Sequence, residues 1–390
     1  VKARLSVAYV PLVDAAPIIV AKELGFAEEE GLELDLLRAP SWSSVRDWLA
    51  FGRVEAAHLL SPIPVAMALG LGGVAARVSA VQVLSVNGNV VGVSQALAAR
   101  IADAGAPDFG DAAGAGRALA AAAGGRLRVG VPFPFSMHAE LLYYWLSASG
   151  LPAPEGVEIR TVPPALMAEA IGAGEIDAFC VGEPWGSLAV ETGVGRLLLP
   201  GSSIWSFAPE KVLALRTDWA EAEPELAGRL MRAIWRAARW LGTGGVATTA
   251  AEILAREGYL GLPPELVDRA LSGHLVVSPG GGSHAVPGFL EFFAGAATFP
   301  WKSQAAWMGH RMAARLGLER EGASTAAKAV FRTDLYRRHL AGAGAQMPGA
   351  SEKVEGGITA GTMVASDTGQ MELFENRFFD GQIFDPSRDN

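Results

Sequence analysis

Seven residues with the chemistry to hold a small ligand fall where apolar runs give way to helical patterns. Trp42 follows Pro40-Ser41 at the start of one such pattern, with Ser41 or Ser43 as its cap. In Asn87-Gly88-Asn89, Gly88 lets backbone amides approach a ligand and Asn89 supplies an amide donor. His138 sits in the first turn of a helical stretch, where free N–H groups and the positive end of the helix dipole gather. Gly182-Glu183-Pro184-Trp185 closes a strand that Pro184 stops. Glu183 would serve by orienting His138 or Lys211, or by taking a proton from a protonated ligand. Lys211 opens a further strand and offers a compact positive charge suited to a small oxyanion. Taken singly, each also has an ordinary reading: a packed indole, a tight turn, a surface histidine, a solvated lysine.

Bond-making chemistry finds less support. There is no phosphate-loop pattern, no Gly-x-Ser-x-Gly elbow and no His-Glu-x-x-His. The six histidines are scattered, without metal-ligand spacing. Cys180 lies in the apolar run Ala178–Val181 and reads as a small hydrophobe. We therefore expect no catalytic residue, no metal and no cofactor.

The elements that would position these residues follow from hydropathy period. Strands are expected at Arg4–Val10, Leu32–Leu37, Ala56–Leu60, Val78–Val86, Leu127–Val131, Val157–Val162, Ala178–Val181 and Val212–Leu215, with helices between them such as Ala15–Leu24, Ser43–Phe51, Met137–Ser149 and Pro164–Ala173. This alternation argues for an α/β fold with largely parallel strands. Gly52-Arg53-Val54-Glu55-Ala56 and Gly174-Glu175-Ile176-Asp177-Ala178 repeat one helix–Gly–strand unit, which suggests two related lobes whose strand ends face one cleft. From Glu223 the chain turns helical, with helices expected at Pro224–Leu241, Thr248–Arg256, Pro264–Leu271, Ser303–Leu316 and Thr325–Leu340. Past Ala345 a Gly-rich polar stretch becomes aromatic over Phe374–Phe384, as expected of an extended tail wrapped over a lobe.

The 390 residues are enough for two lobes, and the net charge of −9 provides no basic stripe for nucleic acid or an anionic membrane surface. A recessed site answers to local groups rather than to total charge, so anion binding stays open. No apolar run is long enough to span a bilayer. The chain opens almost directly on a strand, and we expect a cytoplasmic protein, or a periplasmic one if a leader has been removed.

Several stretches together resemble the nitrate-binding protein family. They are Pro11–Pro17, Ser41-Trp42 with Arg46-Asp47, Ala57–Pro64, Asn87-Gly88-Asn89, Ser136-Met137-His138, Cys180–Trp185, Pro209–Val212 and Phe299–Gln304. That family comprises the NrtA- and CmpA-type solute-binding subunits of nitrate and bicarbonate ABC transporters and the NasS-type cytoplasmic sensors. The resemblance implies a two-lobed, periplasmic-binding-protein-like (type II, venus flytrap) fold with a helical C-terminal region. Its expected segments are 1–90 for lobe I, 91–211 for lobe II, 212–345 for the return to lobe I and 346–390 for a tail packed on the lobes. It also implies a ligand set of Trp42, Gly88, Asn89, His138, Gly182, Glu183 and Lys211 around nitrate or nitrite. Transporter members commonly carry glutamine where this chain has Asn89, and bicarbonate-binding relatives differ at the lysine and use calcium. Lys211 would neutralise the anion without a metal. The expected role is that of a sensor whose closure controls a NasT-type RNA-binding antiterminator, with no direct nucleic-acid contact and no membrane. The alternative is a periplasmic subunit delivering nitrate to an ABC permease. A thiamine-pyrimidine synthase relative on the same fold would need a His/Cys cluster and a cofactor groove, neither of which the sequence offers.

Overall fold

The computed structural model describes residues 2–105 and 107–388, so the extreme ends of the first and last expected segments lie outside the described residues. Two sheets organise the chain. In the first, β1 (Ala3–Tyr9) pairs in parallel with β2 (Leu32–Arg38) and β3 (Ala56–Leu60). Next come β4 (Val78–Asn87) and, between β3 and β4, a strand contributed much later, β10 (Pro209–Arg216). The second sheet is built from β5 (Asn89–Ser94), β6 (Arg128–Val131), β7 (Glu158–Thr161), β8 (Ala178–Gly182) and β9 (Gly195–Pro200), in the order β7-β6-β8-β5-β9. Each sheet, with its covering helices, forms a lobe.

The chain crosses between lobes at Gly88 and again over residues 201–208. This corrects the expectation of largely parallel sheets. β10 runs antiparallel to both β3 and β4, and β5 runs antiparallel to both β8 and β9. A strand entering a lobe from the cleft starts at the end where the lobe's parallel strands finish, so it runs against them. Lys211 therefore sits beside Leu60, and Asn89 beside Gly182. The carboxyl ends of β1, β3 and β8 and the amino ends of β5 and β10 all meet at one place.

Asn87 sets the first crossing. Its backbone is left-handed (φ 60°), a conformation Asn tolerates better than most residues, and Gly88 follows at φ 92°. The Asn87 amide donates to the carbonyls of Ser206 (2.8 Å) and Gly288 (3.0 Å), and its oxygen accepts from the Ala208 amide (3.0 Å). One side chain thus fastens the two crossings together.

Most helices lie where hydropathy places them, Pro224–Leu241 among them. The expected Thr325–Leu340 helix is two, Arg320–Val330 and Thr333–Leu340, parted where Phe331 takes an extended backbone and bridges to Ala80. Among the described residues no helix is long and apolar enough to cross a membrane. The tail forms the hairpin Thr362–Ser366/Gly369–Leu373 and then crosses both lobes. Phe378 lies against Trp205, Trp307 and Tyr144, and the Tyr144 hydroxyl donates to Asp380 (2.7 Å).

Candidate anion site between the lobes

Three helices bring residues to the meeting point. Helix α1 (Trp42–Ala50) starts at Trp42, capped by the Ser41 hydroxyl, which accepts from the Ser44 amide (3.2 Å). Helix α2 (Met137–Ala148) carries His138 in its first turn; the Ser136 hydroxyl caps it by accepting from the Ala139 amide (3.1 Å) and donates to the Phe133 carbonyl (2.7 Å). Helix α3 (Trp185–Glu191) starts directly after Glu183-Pro184.

At the centre is Lys211, fully buried. Its ammonium lies 2.7 Å from Asp14 Oδ2 and 2.9 Å from Glu210 Oε1. Burial works against that charge, but the two carboxylates more than offset it and raise the lysine pKa. Burial would likewise push Asp14 up; Lys211 and His58 outweigh it and hold Asp14 at about 2. Glu210 is raised, because burial outweighs Lys211 and the Asn89 amide, which donates to Oε2 at 2.7 Å.

Two buried histidines flank this triad. His58 Nε2 lies 2.9 Å from Asp14 Oδ1, and its ring sits 5.2 Å from the Trp42 ring. His138 Nδ1 lies 3.1 Å from Glu210 Oε1. Neither contact is an aligned hydrogen bond, and each is an ion pair only when its histidine is protonated. Burial lowers both histidines, His138 well below the usual range. The Trp42 ring faces the lysine ammonium at 5.3 Å. Trp42 Nε1, His58 Nδ1 and His138 Nε2 are buried polar atoms with no hydrogen-bond partner in the chain. Unpaired buried donors of this kind are costly unless something answers them. Gly182 makes room: a Cβ there would lie 2.5 Å from Leu12 Cδ2 and 3.6 Å from both His138 Nε2 and Asp14 Oδ2.

The expected residues therefore divide. Trp42, His138, Gly182 and Lys211 converge. Asn89 reaches the cluster, but its amide is spent on Glu210, with Cys180 Sγ 3.9 Å from its oxygen. Gly88 serves the crossing: its carbonyl accepts from the Glu183 amide (3.1 Å), and a Cβ would strike Leu290. Glu183 does not orient His138 or Lys211, and that expectation is corrected. Its carboxylate turns to its own helix and accepts from the Ser187 amide (3.1 Å), while burial raises it to about 7. The orienting carboxylates are Glu210 and Asp14. Lys211 is also not a free cation awaiting an anion, because both carboxylates already engage it. Sequence reasoning missed Asp14, His58 and Glu210 as site residues. Their signal was present: a charge inside Leu12–Ala16, a histidine inside the apolar strand Ala56–Leu60, and Glu beside Lys opening a buried strand. A cavity of about 810 Å³ opens elsewhere, behind the crossings, lined by Asn87, Pro200, Phe207, Glu291, Phe374 and Arg377.

The lobes are closed over the cluster and bonded to each other. The Val13 amide donates to the Glu183 carbonyl (3.0 Å), and Trp185 Nε1–H donates to the Pro11 carbonyl (2.8 Å). Farther out, Arg315 of helix α4 (Lys302–Leu316, packed on lobe I) forms a two-pronged pair with Glu140 of α2, at 2.7 and 2.6 Å.

Comparison with known proteins agrees with this architecture. The nitrate/nitrite binding protein NrtA of Synechococcus elongatus is 27% identical over 397 residues, covering 98% of this chain and 83% of that protein. The bicarbonate transport ATP-binding protein CmpC of Synechocystis is 35% identical over 265 residues, covering 66% of this chain and 38% of that protein. The chain spans half or less of the length of the ATP-binding relatives it matches. The crystal structure of the periplasmic nitrate-binding protein NrtA from Synechocystis superposes with a TM-score of 0.83 at 26% identity, covering 99% of this chain and 96% of that one. The fold is that of periplasmic binding proteins. A family model described as NMT1-like matches residues 1–255, and the chain belongs to the NMT1-like family.

Proposed function

We propose that the chain is a nitrate- or nitrite-binding protein that closes its two lobes over one anion, and that it is not an enzyme. The observation that carries this reading is that Trp42 and His138 lie beside Lys211 at the contact between lobes with Nε1 and Nε2 buried and unpaired. Nitrate and nitrite accept hydrogen bonds and donate none, so a site rich in unanswered N–H groups suits them. The end-to-end likeness to nitrate-binding proteins supports the same ligand.

Two uses of the captured anion follow. As a sensor, the closed protein would release a NasT-type antiterminator, which requires the anion to favour the closed, partner-free state. As a transport subunit, it would present the anion to a permease, a use supported by the full-length likeness to a periplasmic protein. Calorimetry with nitrate, nitrite and bicarbonate, the last with and without calcium, tests the ligand. Lys211→Ala and His138→Ala should each weaken nitrate binding greatly, and unchanged affinity in both refutes the site. Pull-down of a NasT-type protein with and without nitrate separates the uses: loss of a complex on adding nitrate supports the sensor, and no complex at all supports transport.

A further inference from the structure

We infer that Glu210 is a positioning residue that, through His138, makes anion capture take up one proton; this rests on the nitrate or nitrite reading of the site. The starting point is proton counting. An acceptor-only anion needs hydrogens pointed at it. Trp42 Nε1 always carries one, and the Lys211 ammonium keeps a third beyond the two directed at Asp14 and Glu210. His138 Nε2 carries one only in some protonation states, and Glu210 selects among them.

Glu210 Oε1 lies 3.1 Å from His138 Nδ1. A bare nitrogen lone pair that close to an ionised carboxylate oxygen is repelled. With one proton shared by the pair, that proton belongs on Nδ1, and Nε2 is left as a buried acceptor beside Gly182 with no partner in the chain. A donor at Nε2 then requires a second proton on the pair, as an imidazolium beside a carboxylate or as a neutral Nε2–H imidazole beside a carboxylic acid. Both states hold the same number of protons. Glu210 cannot relieve the demand by turning away, because Lys211 holds Oε1 at 2.9 Å and Asn89 holds Oε2 at 2.7 Å.

The charge inventory points the same way. The groups facing the pair are Lys211 on β10, Asp14 after β1, Asn89 on β5 and Cys180 on β8, while His58 on β3 contacts Asp14. With both carboxylates ionised and both histidines neutral, one positive charge meets two negative ones, and the buried cluster already carries a net negative charge. A second anion in that sealed volume is strongly opposed unless a proton accompanies it. His58 is the other candidate proton carrier, since its Nε2 stands 2.9 Å from Asp14, and uptake that survives His138→Gln would assign the proton to it and overturn the inference. His138 instead stands beside Glu210, whose raised pKa already favours the proton.

The test is calorimetric titration of nitrate into the whole chain in buffers of different ionisation heat, repeated across roughly pH 6 to 9. The expected result is uptake of about one proton per anion, with affinity falling about tenfold per pH unit on the alkaline side. Glu210→Ala should abolish uptake and flatten the pH profile, since no acceptor then holds the His138 proton on Nδ1 and Nε2–H is available at no proton cost. Above the crossover this variant should bind more tightly than the parent. His138→Gln places a permanent N–H donor in the same position and should also lose uptake, so the inference stays testable if one variant folds poorly. A parent that binds nitrate with no proton uptake and a flat profile overturns the inference and spares the ligand reading, as does Glu210→Ala retaining uptake of about one. No heat with nitrate or nitrite at any pH overturns the ligand reading and the inference with it.

Discussion

Arg315→Ala should weaken anion binding from a position well outside the ligand cluster. Glu140 is fully buried and Arg315 is 14% exposed, and their two-pronged contact joins α2 of lobe II to α4 on lobe I. The guanidinium also lies 4.7 Å from the centre of the Tyr143 ring. Removing one partner of a buried pair leaves the other charge desolvated and unanswered, at a cost of about 3–5 kcal/mol. The residual exposure of Arg315 argues for the lower end. Because the pair joins the two lobes, the cost falls on the closed state, in which Glu140 is buried. About 3 kcal/mol against closure corresponds to roughly 150-fold weaker apparent affinity. Calorimetry gives the affinity, and small-angle scattering gives the lobe separation, which should increase in the unliganded variant. Removing both charges in Glu140→Ala/Arg315→Ala should recover much of the loss, because no orphan carboxylate remains. Arg315→Ala binding within threefold of the parent, with an unchanged scattering curve, would refute the claim that this pair latches the lobes.

Two further outcomes are expected. Gly182→Ala puts a methyl 2.5 Å from Leu12 across the cleft. It should cut nitrate affinity at least about tenfold by obstructing closure while leaving the thermal midpoint of the unliganded protein nearly unchanged, as calorimetry and thermal unfolding would report. Glu183, raised by burial to about 7, holds its proton more tightly folded than unfolded. Its contribution is therefore complete below the ordinary carboxylate range and is lost as pH rises toward 7, amounting to about 3 kcal/mol. Glu183→Gln should flatten that part of the stability-against-pH curve in denaturant titrations; an unchanged slope would show that another group dominates it.

Legibility of this chain in its sequence depended on scale. Period and punctuation are local properties, so β3, the helix Pro224–Leu241 and the start of α1 at Trp42 could be read directly. Strand direction could not. β10 resembles any apolar strand, and only the route of the chain between lobes makes it antiparallel. At the site, Trp42, His138, Gly182 and Lys211 were found because each marks the end of an element. Asp14, His58 and Glu210 were passed over as site residues, although a charge in a buried run is itself a signal, because Asp14, His58 and His138 reach their partners only across long stretches of sequence. Glu183 was misassigned for the converse reason. Its position beside the cleft was legible, but the turn of its side chain toward Ser187 was not.

The fastening at Asn87 bears on how the two lobes could report an anion. Because one amide grips both crossings, the two are held together as one joint rather than as two independent ribbons. Asn89 lies two residues beyond that joint on one crossing, and Glu210 lies two residues beyond Ala208 on the other; the two are bonded to each other at 2.7 Å. Charge or occupancy at the cluster therefore acts at the joint itself, with no relay of side chains needed to carry it. A fraction of an ångström there becomes a displacement of several at the outer rims of the lobes, in proportion to the length of the arm.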